Sequence, residues 1–475
     1  MKRYSFSRAA LTAVLFCLFL SGCRYTAAPA DLLTKPTLSG EKQALMQAVN
    51  NVLPMYAKLT LPLRDDGLGS VRLVDLNGDG IDEAIVSFYN EYSTPELLTL
   101  RFTSGMWRPW LSIQQPMARQ IDWIRLVDFD RNGQVELAIG WIGSFESPSL
   151  AEVYSFQSKP SRNDDGKLAL QPLASIPYIY AETGDINGDG NTELAVITAD
   201  GLNQEYQLPS YRLTVYGWQD TSMKLQQEVP LYDGVNTYER MVIGRVSDRH
   251  HGVIVEASTG AHATYTALYA WENGKLKLVR PQAEAQGPDE DGSIEGRPVQ
   301  SEDINGDGII ELMKARQAPG YGYDEFSYVD QLWLNDWVQW DGKKGFMPIR
   351  LEYSDYDYRI SLTIPEKWQN RFTLRKPDQS DEYGIAAFEY WNEETDYKAK
   401  LGVLYAVPSQ KWNEAEANYK DKGRSYVLLG AGGGVLYVFS YAEPSTGIGG
   451  ADLLALQDMK LTDQELISLF SQLED

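Results

Sequence analysis

Three observations predict a mainly β chain built from a repeated four-stranded unit: one nine-residue pattern occurring four times, a near-constant interval between the copies, and several short apolar runs in each interval. The pattern reads Asp75-Leu76-Asn77-Gly78-Asp79-Gly80-Ile81-Asp82-Glu83, and returns at 128–136, 185–193 and 303–311. Oxygen side chains occupy positions 1, 3, 5 and 9 and glycine occupies position 6, the arrangement a tight loop needs to wrap a hard divalent cation. Calcium accepts six to eight oxygens at roughly 2.3–2.6 Å in forgiving geometry, whereas magnesium keeps its waters and transition metals prefer nitrogen or sulfur. Calcium is therefore the expected guest. Its ligands would be Asp75, Asn77, Asp79, Ile81 and Glu83 in the first loop, and Asp128, Asp130, Asn132, Gln134 and Glu136 in the second. The third supplies Asp185, Asn187, Asp189, Asn191 and Glu193, and the last Asp303, Asn305, Asp307, Ile309 and Glu311, with position 7 included through its main-chain carbonyl.

The first aspartates of successive copies lie 53, 57 and 118 residues apart. The last interval is double the others, so it holds a unit without ligands. Gly244-Arg245 aligns there with Gly184-Asp185, and the loop reads Arg245-Val246-Ser247-Asp248-Arg249-His250-His251-Gly252 between apolar runs. Five units at a spacing of about 55 residues mark a repeat architecture, in which each unit buries its apolar face against its neighbours.

Helical calcium modules need a chelating side chain at position 12 and helices on the flanks. Position 12 is Val86, Ile139, Val196 and Lys314, so that class is rejected. The flanks at 71–74, 83–88, 123–127 and 135–140 read as strands, and the loop joins two adjacent antiparallel ones. Two more strands follow per repeat, such as 97–102 and 107–113 around Thr103-Ser104-Gly105, or 211–216 and 224–231. Four strands in roughly 50–59 residues make a propeller blade, so about five blades are expected from about 71 to 353, each loop lying between a first and a second strand. On these residues the chain resembles the FG-GAP repeats, also called integrin-α-type or VCBS-like, whose pattern is acid-x-Asp/Asn-x-Asp/Asn-Gly-x-x-acid. The resemblance covers roughly 280 residues and implies a calcium-binding β-propeller. It departs at the fourth repeat, and in a count of five blades where the integrin propeller has seven.

The N-terminus carries Lys2, Arg3 and Arg8 ahead of an apolar run at 9–20, then Leu20-Ser21-Gly22-Cys23. That run is too short to span a bilayer, and small residues before a cysteine suit the lipoprotein signal peptidase, so the segment resembles a bacterial lipobox. Residues 1–22 are read as the signal, Cys23 as the lipidated (palmitate-bearing) terminus and 23–40 as a tether. This places the mature chain on the extracytoplasmic face of a bacterial cell membrane, attached by lipid alone. Cys17 leaves with the signal, so no internal disulfide can form. Cleavage also removes three cations and no acid, taking the net charge from −23 to −26. Such a surface repels nucleic acid and anionic headgroups and gathers calcium.

Residues 41–56 read as an amphipathic helix with Leu45, Val49, Val52 and Leu53 on one face, opening a propeller unit of 41–353. Residues 354–475 read as a small α+β domain: strands at 358–364, 372–374, 385–390 and 401–407, a helix at 411–420, a hairpin of 426–429 and 435–441 around Gly430-Ala431-Gly432-Gly433-Gly434, and a closing helix at 462–473 capped by Thr462 and Glu465. Its opening, a strand ending in Ile364-Pro365-Glu366-Lys367-Trp368, is similar to the start of PsbP/Mog1-like domains.

Catalytic machinery is scarce. The glycine run lies between two strands and not between a strand and a helix, so it reads as a turn and not a phosphate loop. Only His250, His251 and His262 are present, and His250 and His251 read as surface residues of the ligand-free loop. The turns between second and third strands, on the face opposite the calcium loops, carry Tyr92, Phe145, Tyr206, Tyr265, Tyr321, Tyr323 and Phe326 beside polar groups, the mixture that binding surfaces favour. The expected function is a binding or scaffolding module for a protein or glycan. The alternative is a cell-envelope polysaccharide hydrolase using carboxylates on that opposite face.

Overall fold

The computed structural model describes residues 40–475 except 65, 145–146, 164–165, 203–208, 261–262, 281–292, 296, 322–330, 344, 443–447 and 474–475. Within them the chain is mainly β, arranged as successive antiparallel sheets that follow one another along the sequence.

Sheet I is a meander of Val71–Val74, Glu83–Tyr89, Pro95–Thr103 and Met106–Gln114. Its first edge is composite, because Lys58–Leu59 pairs with the end of the second strand beyond the reach of the first. Sheet II comprises Ala118–Val127, Glu136–Gly143, Ser149–Ser155 and Ala174–Tyr178. A two-stranded insertion, Ser161–Arg162 and Leu168–Ala169, leaves this sheet and docks by Ala169 on Ser112 of the Met106–Gln114 strand of sheet I. Sheet III runs Tyr180–Gly184, Glu193–Leu202, Pro209–Gln219 and Ser222–Pro230. Sheet IV runs Thr237–Ser247, His250–Ser258, Thr264–Glu272 and Lys275–Leu278, with Ser293–Glu295 added to its third strand. Sheet V runs Leu312–Gln317, Trp333–Trp340, Phe346–Asp355 and Ile360–Thr363. The four-stranded repeat read from the sequence is thus present in the pairing. Among the described residues no strand pairing joins sheet V back to sheet I.

Alternation explains why the sheets stack. In Glu83–Tyr89 and Glu136–Gly143 nearly every residue is buried, because both faces of each strand are covered, by sheet II and the N-terminal helix in the first case and by sheets I and III in the second. Ile85, Leu97, Ile113, Ile121, Ile139 and Trp141 form one cluster between sheets I and II. Ala195, Leu213, Val215, Met241, Val255 and Tyr269 form another between sheets III and IV. The N-terminal helix, Gly40–Val52, lays Leu45 and Val49 against Ala84, Val86 and Leu100 of sheet I.

The expected break at 353/354 falls inside the strand Phe346–Asp355. Sheet V continues past it through Ile360–Thr363 and takes as its last strand Phe470–Gln472 from the C-terminus. One core joins Leu334, Leu351 and Tyr353 of sheet V to Trp368, Phe388 and Phe439 of the final sheet, so packing crosses the predicted boundary without a gap. That final sheet, VI, contains Phe372–Arg375, Gly384–Asn392, Tyr397–Pro408, Val435–Tyr441 and Tyr426–Gly432. Its hairpin strand runs on through Gly432, so only Gly433 and Gly434, with φ of 58° and 81°, make the turn. A helix at Gly450–Asp458 had no signature in the sequence reading. The closing helix is shorter than expected, Asp463–Leu469, because Phe470 leaves it to pack on Tyr437. Thr462 and Glu465 do form the capping box. Thr462→Ala should cost about 1 kcal/mol, read as a lowered urea midpoint, and an unchanged midpoint would show that the helix end is held by packing alone.

Candidate metal centre

All four loops are closed by the same pair. The residue before position 1 faces position 9 across the ladder: Val74 with Glu83, Val127 with Glu136, Gly184 with Glu193, and Glu302 with Glu311 as an isolated bridge. In the ligand-free fourth unit the same strands stay paired beyond that point, with Arg245 opposite His251 and Ser247 opposite His250. Losing the wrap leaves a plain hairpin and keeps the sheet.

Inside each loop the first aspartate gathers main-chain donors. Asp75 Oδ1 accepts from Gly78 N at 2.8 Å and Oδ2 from Gly80 N at 2.8 Å. Asp185 and Asp303 repeat this with their own positions 4 and 6, and Asp128 accepts from Gly133 at 2.9 Å. The Gly80 N–H holds the Asp75 carboxyl below the usual carboxylate range. Positions 4 and 6 are both left-handed, which explains glycine at 6 in every copy; position 4 is glycine except for Arg131 at φ 58°. Position 2 is an anchor, with Leu76, Phe129 and Ile186 buried under their loops.

Position 9 is different in kind. Glu83, Glu136, Glu193 and Glu311 are all buried. Each accepts the N–H of position 2, at 3.0, 3.2, 2.9 and 3.0 Å respectively. Burial pushes the Glu136 and Glu193 carboxyls up to about 7, with neighbouring loop aspartates adding to the effect. It raises Glu83 and Glu311 as well. A buried anion beside further anions wants a cation.

The residues present fit a hard cation best in the second loop, where ligand atoms of Asp128, Asp130 and Glu136 all lie within 4.8 Å of one another. In the other three, position 3 is asparagine, and its amide nitrogen donates to the position 9 carboxylate, for example Asn187 to Glu193 at 3.1 Å and Asn305 to Glu311 at 3.2 Å. Neighbours on the adjoining strand distinguish the loops further. Arg101 Nε stands 3.3 Å from Glu83, and Gln339 donates to Glu311 at 2.8 Å and to Asp307 at 3.1 Å.

The loops also form a row. Gln134 of the second packs against Gly78 of the first. Arg131 donates to the Asp189 carbonyl of the third at 3.3 Å. From the ligand-free unit, His251 Nδ1 meets the Asp185 carbonyl oxygen at 3.0 Å, while Arg245 bridges to Ile309 and lies near Gly308 of the last loop. His250 turns the other way, onto Ser247 at 2.8 Å and the Trp340 ring, so the two histidines share no site.

The expected aromatic partner face is not one surface. Tyr92 is exposed at its turn. Tyr265 is 1% exposed, because the strand Thr264–Glu272 begins before it and the pleat directs it into the core, stacked on Tyr232. Tyr321 is engaged within the chain, donating to Glu389 at 2.6 Å beneath Lys398. Phe145, Tyr206, Tyr323, Phe326 and Cys23 lie outside the described residues. The groups that the sequence did not reveal are Arg101 and Gln339, each on the strand paired next to the one that Glu83 or Glu311 opens; their only signal was the register of that pairing.

No protein-family model matches the chain, and no curated protein matches it.

Proposed function

We propose that the chain is a lipid-anchored, extracytoplasmic binding module of β-propeller type whose four nine-residue loops hold calcium. The observation that carries this reading is the recurrence of one loop construction four times, each closed by a buried glutamate beside further carboxylates. The successive four-stranded sheets, with each loop between a first and a second strand, support a blade-like arrangement. Anchoring through Cys23 and the strongly acidic mature chain suit the outer side of a membrane, where calcium is plentiful. Calcium bound in the loops would pin neighbouring sheet ends together and leave the remaining surfaces for a protein or glycan partner. Calorimetric titration of the chain with calcium and separately with magnesium tests this. Saturable heat with calcium, little with magnesium and a reduced stoichiometry in Asp128→Ala is the expected outcome; no heat with calcium contradicts it.

A further inference from the structure

The three most exposed large apolar side chains among the described residues are Met55 at 76%, Tyr56 at 80% and Tyr92 at 81%, and the fold brings them together. The strand Glu83–Tyr89 starts at the first nine-residue loop and ends with Tyr89 opposite Lys58. The turn that precedes Lys58 therefore sits beside the turn that follows Tyr89, at the end of sheet I away from that loop. Pro54–Ala57 is closed by Ala57 N donating to the Pro54 carbonyl at 3.1 Å, and Asn90–Thr94 by Asn90 N donating to the Thr94 carbonyl at 3.0 Å. Met55 and Tyr56 are the two central residues of the first turn, and Tyr92 is the middle residue of the second.

Two features separate this end from an ordinary pair of turns. Tyr56 has φ of 70°, a left-handed backbone that favours glycine, so a bulky ring is kept at the tip against a conformational cost. The apolar surface also continues beyond the tips. Leu59 and Leu73 pair with Phe88 and Ala84, which places them on the side of sheet I that carries the helix Gly40–Val52, and both stay exposed. Exposed apolar surface gathered in one place marks a contact with a protein or a membrane.

Charge and connectivity choose between the two. Residues 24–73 hold six basic and four acidic side chains, a net +2 in a mature chain of −26, so the remainder carries −28. An anionic bilayer repels that remainder and accepts this end, where the exposed Lys58 is placed to reach headgroup phosphates. The described residues begin at Gly40, at the start of the helix on this side of sheet I. Sixteen residues separate Gly40 from Cys23, roughly 55 Å even at full extension.

We propose that the two turns carrying Met55, Tyr56 and Tyr92 form a bilayer-contact surface, entering the boundary between headgroups and acyl chains of the anionic membrane that holds the lipid on Cys23. Tyrosine suits that boundary because its ring is apolar while its hydroxyl stays hydrated. The contact sets how the chain stands, with the first nine-residue loop at the end of sheet I turned away from the membrane. The inference rests on the lipid-anchor reading and not on occupied calcium loops.

The mature chain holds one cysteine, blocked by its own lipid, so a single introduced cysteine can be labelled alone. Tyr56→Cys, Tyr92→Cys and Leu225→Cys, the last exposed on the strand Ser222–Pro230, are made in the full chain and labelled with an environment-sensitive fluorophore. Each is reconstituted into vesicles of phosphatidylethanolamine and phosphatidylglycerol that contain a spin-labelled lipid as quencher. Circular dichroism checks the fold, and mass spectrometry reads the lipid on Cys23. A blue shift and quenching at 56 and 92, with neither at 225, is the expected result. Three labels in water on a lipid-bearing chain overturn the contact surface and leave the anchor standing. Equal quenching at all three positions, or a blue shift at 56 and 92 without quenching by the spin-labelled lipid, as a second copy of the chain would give, also overturns it. A chain without lipid on Cys23 overturns the anchor reading and this inference with it.

Discussion

Excess chelator should lower the melting temperature of the chain by several degrees relative to 1 mM calcium, and magnesium should not restore it. Extracellular calcium modules bind with dissociation constants of about 10⁻⁴–10⁻³ M, so linkage at 1 mM supplies about 0.4–1.4 kcal/mol per loop and about 2–6 kcal/mol for four independent loops. The contributions should be unequal. The second loop brings three acids together with no cation paired to its glutamate among the described residues, whereas in the first loop Arg101 already stands against Glu83 and must be displaced or tolerated. Asp128→Ala should therefore remove a larger share of the calcium-dependent shift than Asp75→Ala. Differential scanning calorimetry of the two variants in calcium and in chelator checks the order, and equal losses would show that Arg101 does not compete.

The second large effect is a dependence on pH that calcium erases. In chelator, the Glu136 and Glu193 carboxyls sit at about 7 in the folded chain against an ordinary value of 4.5, because burial disfavours the anion. A raised folded value means that the unfolded chain gives up these protons first. The stability linked to holding them is fully present below about 4.5, falls as the pH rises toward 7, and is gone above it. A difference of that size corresponds to on the order of 3 kcal/mol per site. Calcium-free protein should accordingly melt higher at pH 5.5 than at pH 7.5 by a margin that shrinks in Glu136→Gln and Glu193→Gln. At pH 7.5 those variants should be more stable than the parent in chelator and should gain less from calcium. A parent-to-variant difference that does not change with pH would show that the two glutamates remain ionised without a cation.

Much of this was legible because the repeat carries its own register. Position 1, glycine 6 and position 9 mark where two strands must turn, and pairs such as Val127 with Glu136 and Gly184 with Glu193 obey that marking. Even the ligand-free unit announced itself by Met241, Val242 and Ile243 before its loop and Val253, Ile254 and Val255 after it. The C-terminal region was less readable. Its strands were visible as apolar runs, yet Phe470 read as part of the closing helix, and its packing on Tyr437 and pairing with Leu362 show that it leaves the helix and closes sheet V. The partner face failed for a related reason: a tyrosine one residue into a strand has its direction set by the pleat, as Tyr265 shows, and not by its closeness to a turn.

Crystals grown in millimolar calcium, with data collected at a long wavelength for an anomalous difference map, address the central claim most directly. Four peaks, one inside each of the loops beginning at Asp75, Asp128, Asp185 and Asp303 and none at Arg245, are the predicted result. A map without peaks at those loops, from a chain folded into the same sheets, would contradict it and leave the four motifs as turns stabilised by their own hydrogen bonds.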